Sequence, residues 1–138
     1  MDIRFKKGWD KLREIDGEAG EAVVQSLHDI APDLGKYIIE FAFGDIYSRP
    51  GLNLQHRQLV TIASLTTQGN CEPQLEVHIN AALNVGLSPN QIIEAILHCS
   101  PYIGFPRVIN AVKVGQKVFD KRGVQPVWEE GADNASSD

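Results

Sequence analysis

Between Asn70 and Gly86 the apolar residues Leu75, Ile79, Ala82 and Leu83 recur at the spacing of one face of a helix. A stretch with that period cannot alternate in and out of a sheet, so it commits to an α-helix. His78 falls inside the stripe, three positions after Leu75 and one turn before Ala82, which turns its imidazole toward the buried side. Cys71 and Glu72 stand where this helix should begin, so a thiol, a carboxylate and an inward imidazole lie within eight positions. A lone histidine on such a face is more often a hydrogen-bonded core residue than a catalyst. A free cysteine, likewise, packs by default as a small hydrophobe. The local pattern leaves both readings open.

The same period runs through the rest of the chain. Residues 4–15 carry Phe5, Trp9, Leu12 and Ile15, a pattern broken by Gly17 and Gly20, and residues 21–30 carry Val23, Val24, Leu27 and Ile30. Ala31-Pro32-Asp33 is a boundary, because proline disfavours helix in the residue before it. Leu34, Tyr37, Ile38, Phe41 and Phe43 predict a longer helix ending near Tyr47, followed by the loop Ser48-Arg49-Pro50-Gly51. Asn53 can cap the next helix, which carries Leu59, Ile62, Ala63 and Leu65 up to Gly69. Ser88-Pro89-Asn90-Gln91 forms a capping box ahead of Ile92, Ile93, Ile96 and Leu97, with Cys99 close by. Pro101 and Gly104 interrupt, and Pro106 opens a last helix with Val108, Ala111, Val112, Gly115 and Phe119 that stops at Gly123.

Strand-like alternation is absent from this reading. The expected fold is all-α, a single domain of six or seven short helices over residues 1–123, with an acidic tail over 124–138 expected to be disordered. So many short helices in 138 residues leave apolar surface to cover, which makes a homo-oligomer the expectation. The net charge of −5 and the dispersed Lys and Arg argue against a nucleic-acid partner. Two cysteines are too few for a disulfide framework, and no stretch reaches the roughly 18 apolar residues of a membrane helix. The start, Met1 to Lys7, lacks the apolar run of a signal peptide, so a reducing cytoplasm is the expected setting.

Several segments, in order, resemble the carboxymuconolactone decarboxylase family. They are Ala31-Pro32-Asp33-Leu34, the run from Phe41 to Leu52, Arg57 to Ala63, Glu72-Pro73-Gln74-Leu75, Val77 to Gly86, Tyr102 to Pro106, and Asn110-Ala111. The resemblance implies an all-helical fold of the alkyl hydroperoxidase D-like type, assembled into rings, commonly trimers or hexamers, with sites near subunit interfaces. It also implies one of two chemistries. One branch decarboxylates 4-carboxymuconolactone to the enol-lactone of 3-oxoadipate. The other runs thiol–disulfide chemistry on a Cys-x-x-Cys pair followed four residues later by histidine. Here Cys71 and His78 match that second pattern, but the second cysteine position is Gln74, and the preceding helix reads His56-Arg57-Gln58-Leu59 where a carboxylate belongs. Cys71 could reach a sulfenic acid without forming the local disulfide. The decarboxylase branch is therefore favoured; a Cys71-dependent hydroperoxide or disulfide reductase and a non-catalytic helical oligomer are the alternatives.

Decarboxylation of such a lactone needs no metal or organic cofactor, because the departing carboxylate is on the ring carbon joined through the double bond to the lactone carbonyl, so the substrate carries its own electron sink. The protein must hold the retained carboxylate, meet the charge developing on the lactone oxygen, and protonate the dienolate. His78 is the candidate acid, since histidine titrates closest to neutrality. Glu72 could orient it or share the proton, or serve only as favourable charge at a helix start. Arg49 is the preferred carboxylate anchor and Arg57 the weaker one. Tyr102 could offer a hydroxyl, although aromatic packing is the commoner role. Arg107 stands where the family pattern has a small residue, so it adds an anion contact or reshapes the pocket.

Overall fold

The computed structural model describes residues 2–129, and no strand occurs among them. Helices α1 (Ile3–Asp16), α2 (Glu18–Ser26) and α3 (Pro32–Tyr37) lead into a π-helix over Ile38–Tyr47, followed by α4 (Leu54–Gln68), α5 (Glu72–Asn84), α6 (Pro89–His98), the single turn α7 (Ser100–Ile103) and α8 (Phe105–Arg122). The all-α expectation holds. Its stop and start signals act as read: Asn53 accepts from the His56 amide at 2.8 Å, Ser88 and Gln91 close a capping box, and Gly123 ends α8 in the left-handed conformation.

The stretch expected to form one α-helix up to Tyr47 is different in its second half. From Ile38 the backbone widens to π-type turns, and the inward row becomes Ile39 and Phe43, with Tyr47 beyond them, while Leu34, Tyr37 and Phe41 face outward. The cause is α1, which lies almost in backbone contact: a Cβ at Gly8 would stand 1.9 Å from the Ile39 carbonyl oxygen. Only glycine permits that approach. Arg4 ties the same two elements from outside, its guanidinium reaching Asp45 at 3.0 Å and Glu40 at 3.3 Å. The second helix also differs from expectation, spanning Glu18–Ser26 and giving way to tight turns in which the Leu27 and His28 amides fold back onto Val24 and Gln25.

Two cores meet at α5. Leu75, Ile79 and Ala82 pack with Ile62, Ile92, Ile96, Val108 and Phe119 from α4, α6 and α8. On the other flank, Ala81 joins Leu12, Ile15, Ile39 and Phe43 from α1 and the π-helix. The tail segment after α8 starts in place, with Val127 exchanging two hydrogen bonds with the Asn90 side chain at 2.7 and 2.8 Å. Of the tail over 124–138 expected to be disordered, residues 130–138 lie outside the described residues.

Candidate active site

His78 lines a cavity of about 350 Å³ bounded by α1, α2, the π-helix and the first two turns of α5. Its walls are mostly carbon, from Leu12, Val23, Ile38, Ala42, Phe43 and Val77. Three titratable side chains interrupt that lining: Asp16, Tyr47 and His78. Each reaches the cavity for a local reason. His78 sits half-buried on the flank of α5 that faces the cavity, beside the buried row of Leu75, Ile79 and Ala82. Tyr47 ends the π-helix row four residues after Phe43, with which it stacks at a ring separation of 5.0 Å. Asp16 is the last residue of α1, and Gly20 opposite it on α2 makes the room, since a Cβ there would come within 2.6 Å of the Asp16 Cβ.

A polar chain behind the cavity sets the protonation pattern. His78 Nδ1 lies 3.2 Å from Oε1 of the fully buried Gln58 on α4. With that oxygen as acceptor, Nδ1 carries the proton and Nε2 keeps its lone pair. Burial pulls the imidazole down to about 4, so the ring is neutral near pH 7. Thr61 donates its single hydroxyl proton to the Arg57 carbonyl at 2.9 Å, so in its 2.6 Å contact with Tyr47 the phenol is the donor. Burial raises the Tyr47 phenol, with Thr61 and Gln58 pulling the other way. Asp16 is only 7% exposed, its Oδ1 is buried without a partner, and burial pushes the carboxyl up to about 7.

The other residues singled out from the sequence lie elsewhere. Cys71 and Glu72 line a separate recess of about 200 Å³, together with Thr66, Gly69, Arg107 and Asn110. The Cys71 thiol donates to the Leu65 carbonyl at 3.2 Å, and burial and the Glu72 charge both raise its pKa. A protonated, hydrogen-bonded thiol is a poor nucleophile. Cys99 is a second buried free thiol, turned onto the Ala95 carbonyl at 3.4 Å. Arg49 is exposed on its loop, and its carbonyl accepts from Arg57 Nη2 at 2.8 Å while Arg57 Nε holds Leu52. Arg57 lines a recess of about 120 Å³ that shares Tyr47 with the His78 cavity. Tyr102 is exposed, its ring tilted against His98 at 6.0 Å.

Asp16, Tyr47 and Gln58 escape the sequence reading. A signal for Asp16 exists: it continues the helical row Phe5, Trp9, Leu12 by one more turn, an acid where an apolar residue is due. Gln58 carries no comparable mark, since its importance depends on which helix faces it.

Comparison with known proteins bears on this arrangement. The sequence pattern of the carboxymuconolactone decarboxylase family matches residues 32–117, which include Tyr47, Gln58 and His78. Over 124 residues the chain is 37% identical to a 4-carboxymuconolactone decarboxylase of Acinetobacter baylyi, covering 89% of this chain and 92% of that protein. It is 36% identical over 83 residues to a nitrosuccinic acid decarboxylase of Metarhizium robertsii, covering 60% of this chain and 57% of the relative. By the extent of both matches, this chain belongs to the carboxymuconolactone decarboxylase family.

Proposed function

We propose that the protein decarboxylates a small carboxylated lactone such as 4-carboxymuconolactone without a cofactor, with His78 as proton donor. The observation that carries this reading is the carbon-walled cavity with a single imidazole on its α5 side. Its apolar walls suit a departing carboxylate, because carbon dioxide is uncharged and gains by leaving water behind. The bond to that carboxylate breaks, and its electron pair passes through the ring double bond to the lactone oxygen. His78 then delivers a proton to ring carbon, and the carbonyl re-forms in the enol-lactone.

A neutral imidazole must first be charged. An anionic substrate promotes this, since a carboxylate in a low-dielectric cavity raises the pKa of a neighbouring histidine. The imidazole therefore takes a proton from solvent at Nε2 as the substrate binds. Arg49 is the proposed anchor for the retained carboxylate, reaching in from an exposed loop, with Arg57, which lines the adjoining recess and holds that loop through the Arg49 carbonyl, as the second. Tyr47, common to the cavity and to the Arg57 recess, marks where these two spaces adjoin. The thiol reading has less support, because Cys71 lies in the other recess and is held protonated.

A homo-oligomer, a trimer or hexamer in a cytoplasmic setting, belongs to the same proposal. Its support is the outward apolar row Ile30, Leu34, Tyr37 and Phe41, spaced three and four apart beside the cavity elements. The test is direct: incubate the protein with 4-carboxymuconolactone and follow carbon dioxide release beside enol-lactone formation, with His78→Gln in parallel. Turnover by the parent and its loss in the variant are expected. Unchanged turnover in His78→Gln removes that residue from the chemistry.

A further inference from the structure

The reaction needs a donor for the negative charge that develops on the lactone oxygen, and the cavity offers few. The Tyr47 proton is taken by Thr61, and the His78 Nδ1 proton by Gln58. The remaining ring nitrogen, Nε2, is the one that would carry a proton to carbon. Two groups of the lining remain: Gln74, whose side chain is exposed to solvent, and Asp16, a carboxyl at the C-terminal end of α1 with an oxygen buried without a partner, which alone is walled from water.

We propose that Asp16, as the neutral carboxylic acid, is a catalytic residue that donates a hydrogen bond to the lactone oxygen as decarboxylation places charge there. This rests on the reading that the His78 cavity holds the carboxylated lactone. Carbon dioxide leaves without its bonding pair, the pair comes to rest on the lactone oxygen, and the Asp16 proton bridges to that oxygen while staying on the carboxyl. When His78 protonates carbon, the pair returns to the carbonyl and Asp16 is unchanged. A fixed donor in a site walled from water is worth far more than the same contact in solvent. Such a group must be an acid that stays protonated, which an apolar surrounding secures for a carboxyl.

In the free protein nothing charged opposes that state; on binding, the imidazolium that His78 becomes favours the carboxylate and the substrate's own negative charge favours the acid. The titratable groups sharing the cavity are Tyr47 from the π-helix and His78 from α5, while α2 contributes only Gly20 and Val23. Among the described residues no ion pair involves Asp16. Burial alone holds the carboxyl at about 7.

The experiment is a pH profile of kcat and KM for 4-carboxymuconolactone, with Asp16→Ala and Asp16→Asn beside the parent. In the parent, kcat/KM, which reports the free enzyme, falls with rising pH because His78 must be charged, and falls more steeply above about 7, where Asp16 ionises as well. Asp16→Ala lowers kcat by about 10²–10³ with KM nearly unchanged, the mark of a contact made only in the transition state. Asp16→Asn keeps a donor that does not titrate, so it retains more activity than Asp16→Ala and loses the steepening above about 7 while keeping the His78 limb. Melting curves of both variants at pH 8 guard against misfolding, since loss of an unpartnered buried carboxyl leaves the fold at least as stable as the parent. Parent kcat in Asp16→Ala, or the parent's steepening above about 7 surviving in Asp16→Asn, overturns the Asp16 role while the decarboxylase reading stands. No carbon dioxide from the parent overturns both.

Discussion

The two hollows beside α5 differ in what they do to their reactive groups. Toward α4 and α8, the recess holding Cys71, Glu72 and Arg107 places a thiol against a backbone carbonyl and keeps it protonated. Toward α1 and the π-helix, the cavity holding His78, Asp16 and Tyr47 leaves one carboxyl oxygen without a partner and shifts acid and imidazole past one another, Asp16 up to about 7 and His78 down to about 4. At neutral pH one hollow thus contains a neutral base beside a partly protonated acid. Crossed pKa values of that kind mark acid–base chemistry more than packing, which favours the His78 side as the seat of the reaction.

The widest gap between the hollows should appear in turnover. His78→Gln is expected to lower kcat on 4-carboxymuconolactone by about 10²–10⁴, the usual contribution of a positioned acid, while Cys71→Ala stays within about twofold of the parent. Steady-state kinetics on both variants check this, and equal losses would dissolve the distinction between the two sides.

Packing should differ almost as much. Ile79→Ala, in the closed core of α4, α6 and α8, is expected to cost roughly 2–5 kcal/mol by denaturant unfolding. Val77→Ala, on the wall of a cavity that is already open, should cost about 1 kcal/mol or less. Comparable costs would mean that the cavity side is packed as tightly as the other.

Stability against pH separates the two shifted groups by sign. The Asp16 carboxyl is raised in the fold from 3.8 to about 7, so the folded state holds its proton more tightly than the unfolded chain does. Stability is full below about pH 4 for this group and declines as pH rises toward 7, by up to about 4 kcal/mol for a shift of that size. Asp16→Asn should therefore gain stability over the parent at pH 8 and lose that advantage at pH 4. His78 acts oppositely: lowered from 6.5 to about 4, it contributes stability above pH 6.5 that is lost as pH falls toward 4. His78→Gln should remove that acid-side loss. Urea titrations across pH 4–8 read both limbs. The smallest effect is expected at Arg107→Ala, within about twofold in kcat/KM, because its side chain lines the Cys71 recess only.

Much of the fold is legible in the chain because its signals are local. The capping box at Ser88, the Asn53 cap and the Gly123 stop involve partners within a few residues, and the structure places each as its sequence indicates. The π-helix is not legible, because its cause lies at Gly8, about thirty residues upstream, where α1 closes onto the Ile39 carbonyl. The inward turn of His78 follows from helical period alone. Its grouping with Cys71 and Glu72, near in sequence, does not carry into space: α5 separates them into different hollows.

By itself, then, the amino-acid sequence determined an all-helical chain, the start and stop of most helices, and an imidazole on the buried face of α5. Those features depend on periodicity and on backbone groups satisfied within one or two turns. Tertiary structure alone decided what surrounds that imidazole. Asp16, Tyr47 and Gln58 come from three other elements, 62, 31 and 20 positions from His78. Their protonation is set by burial and by one another's hydrogen bonds, and neither exists until the helices pack.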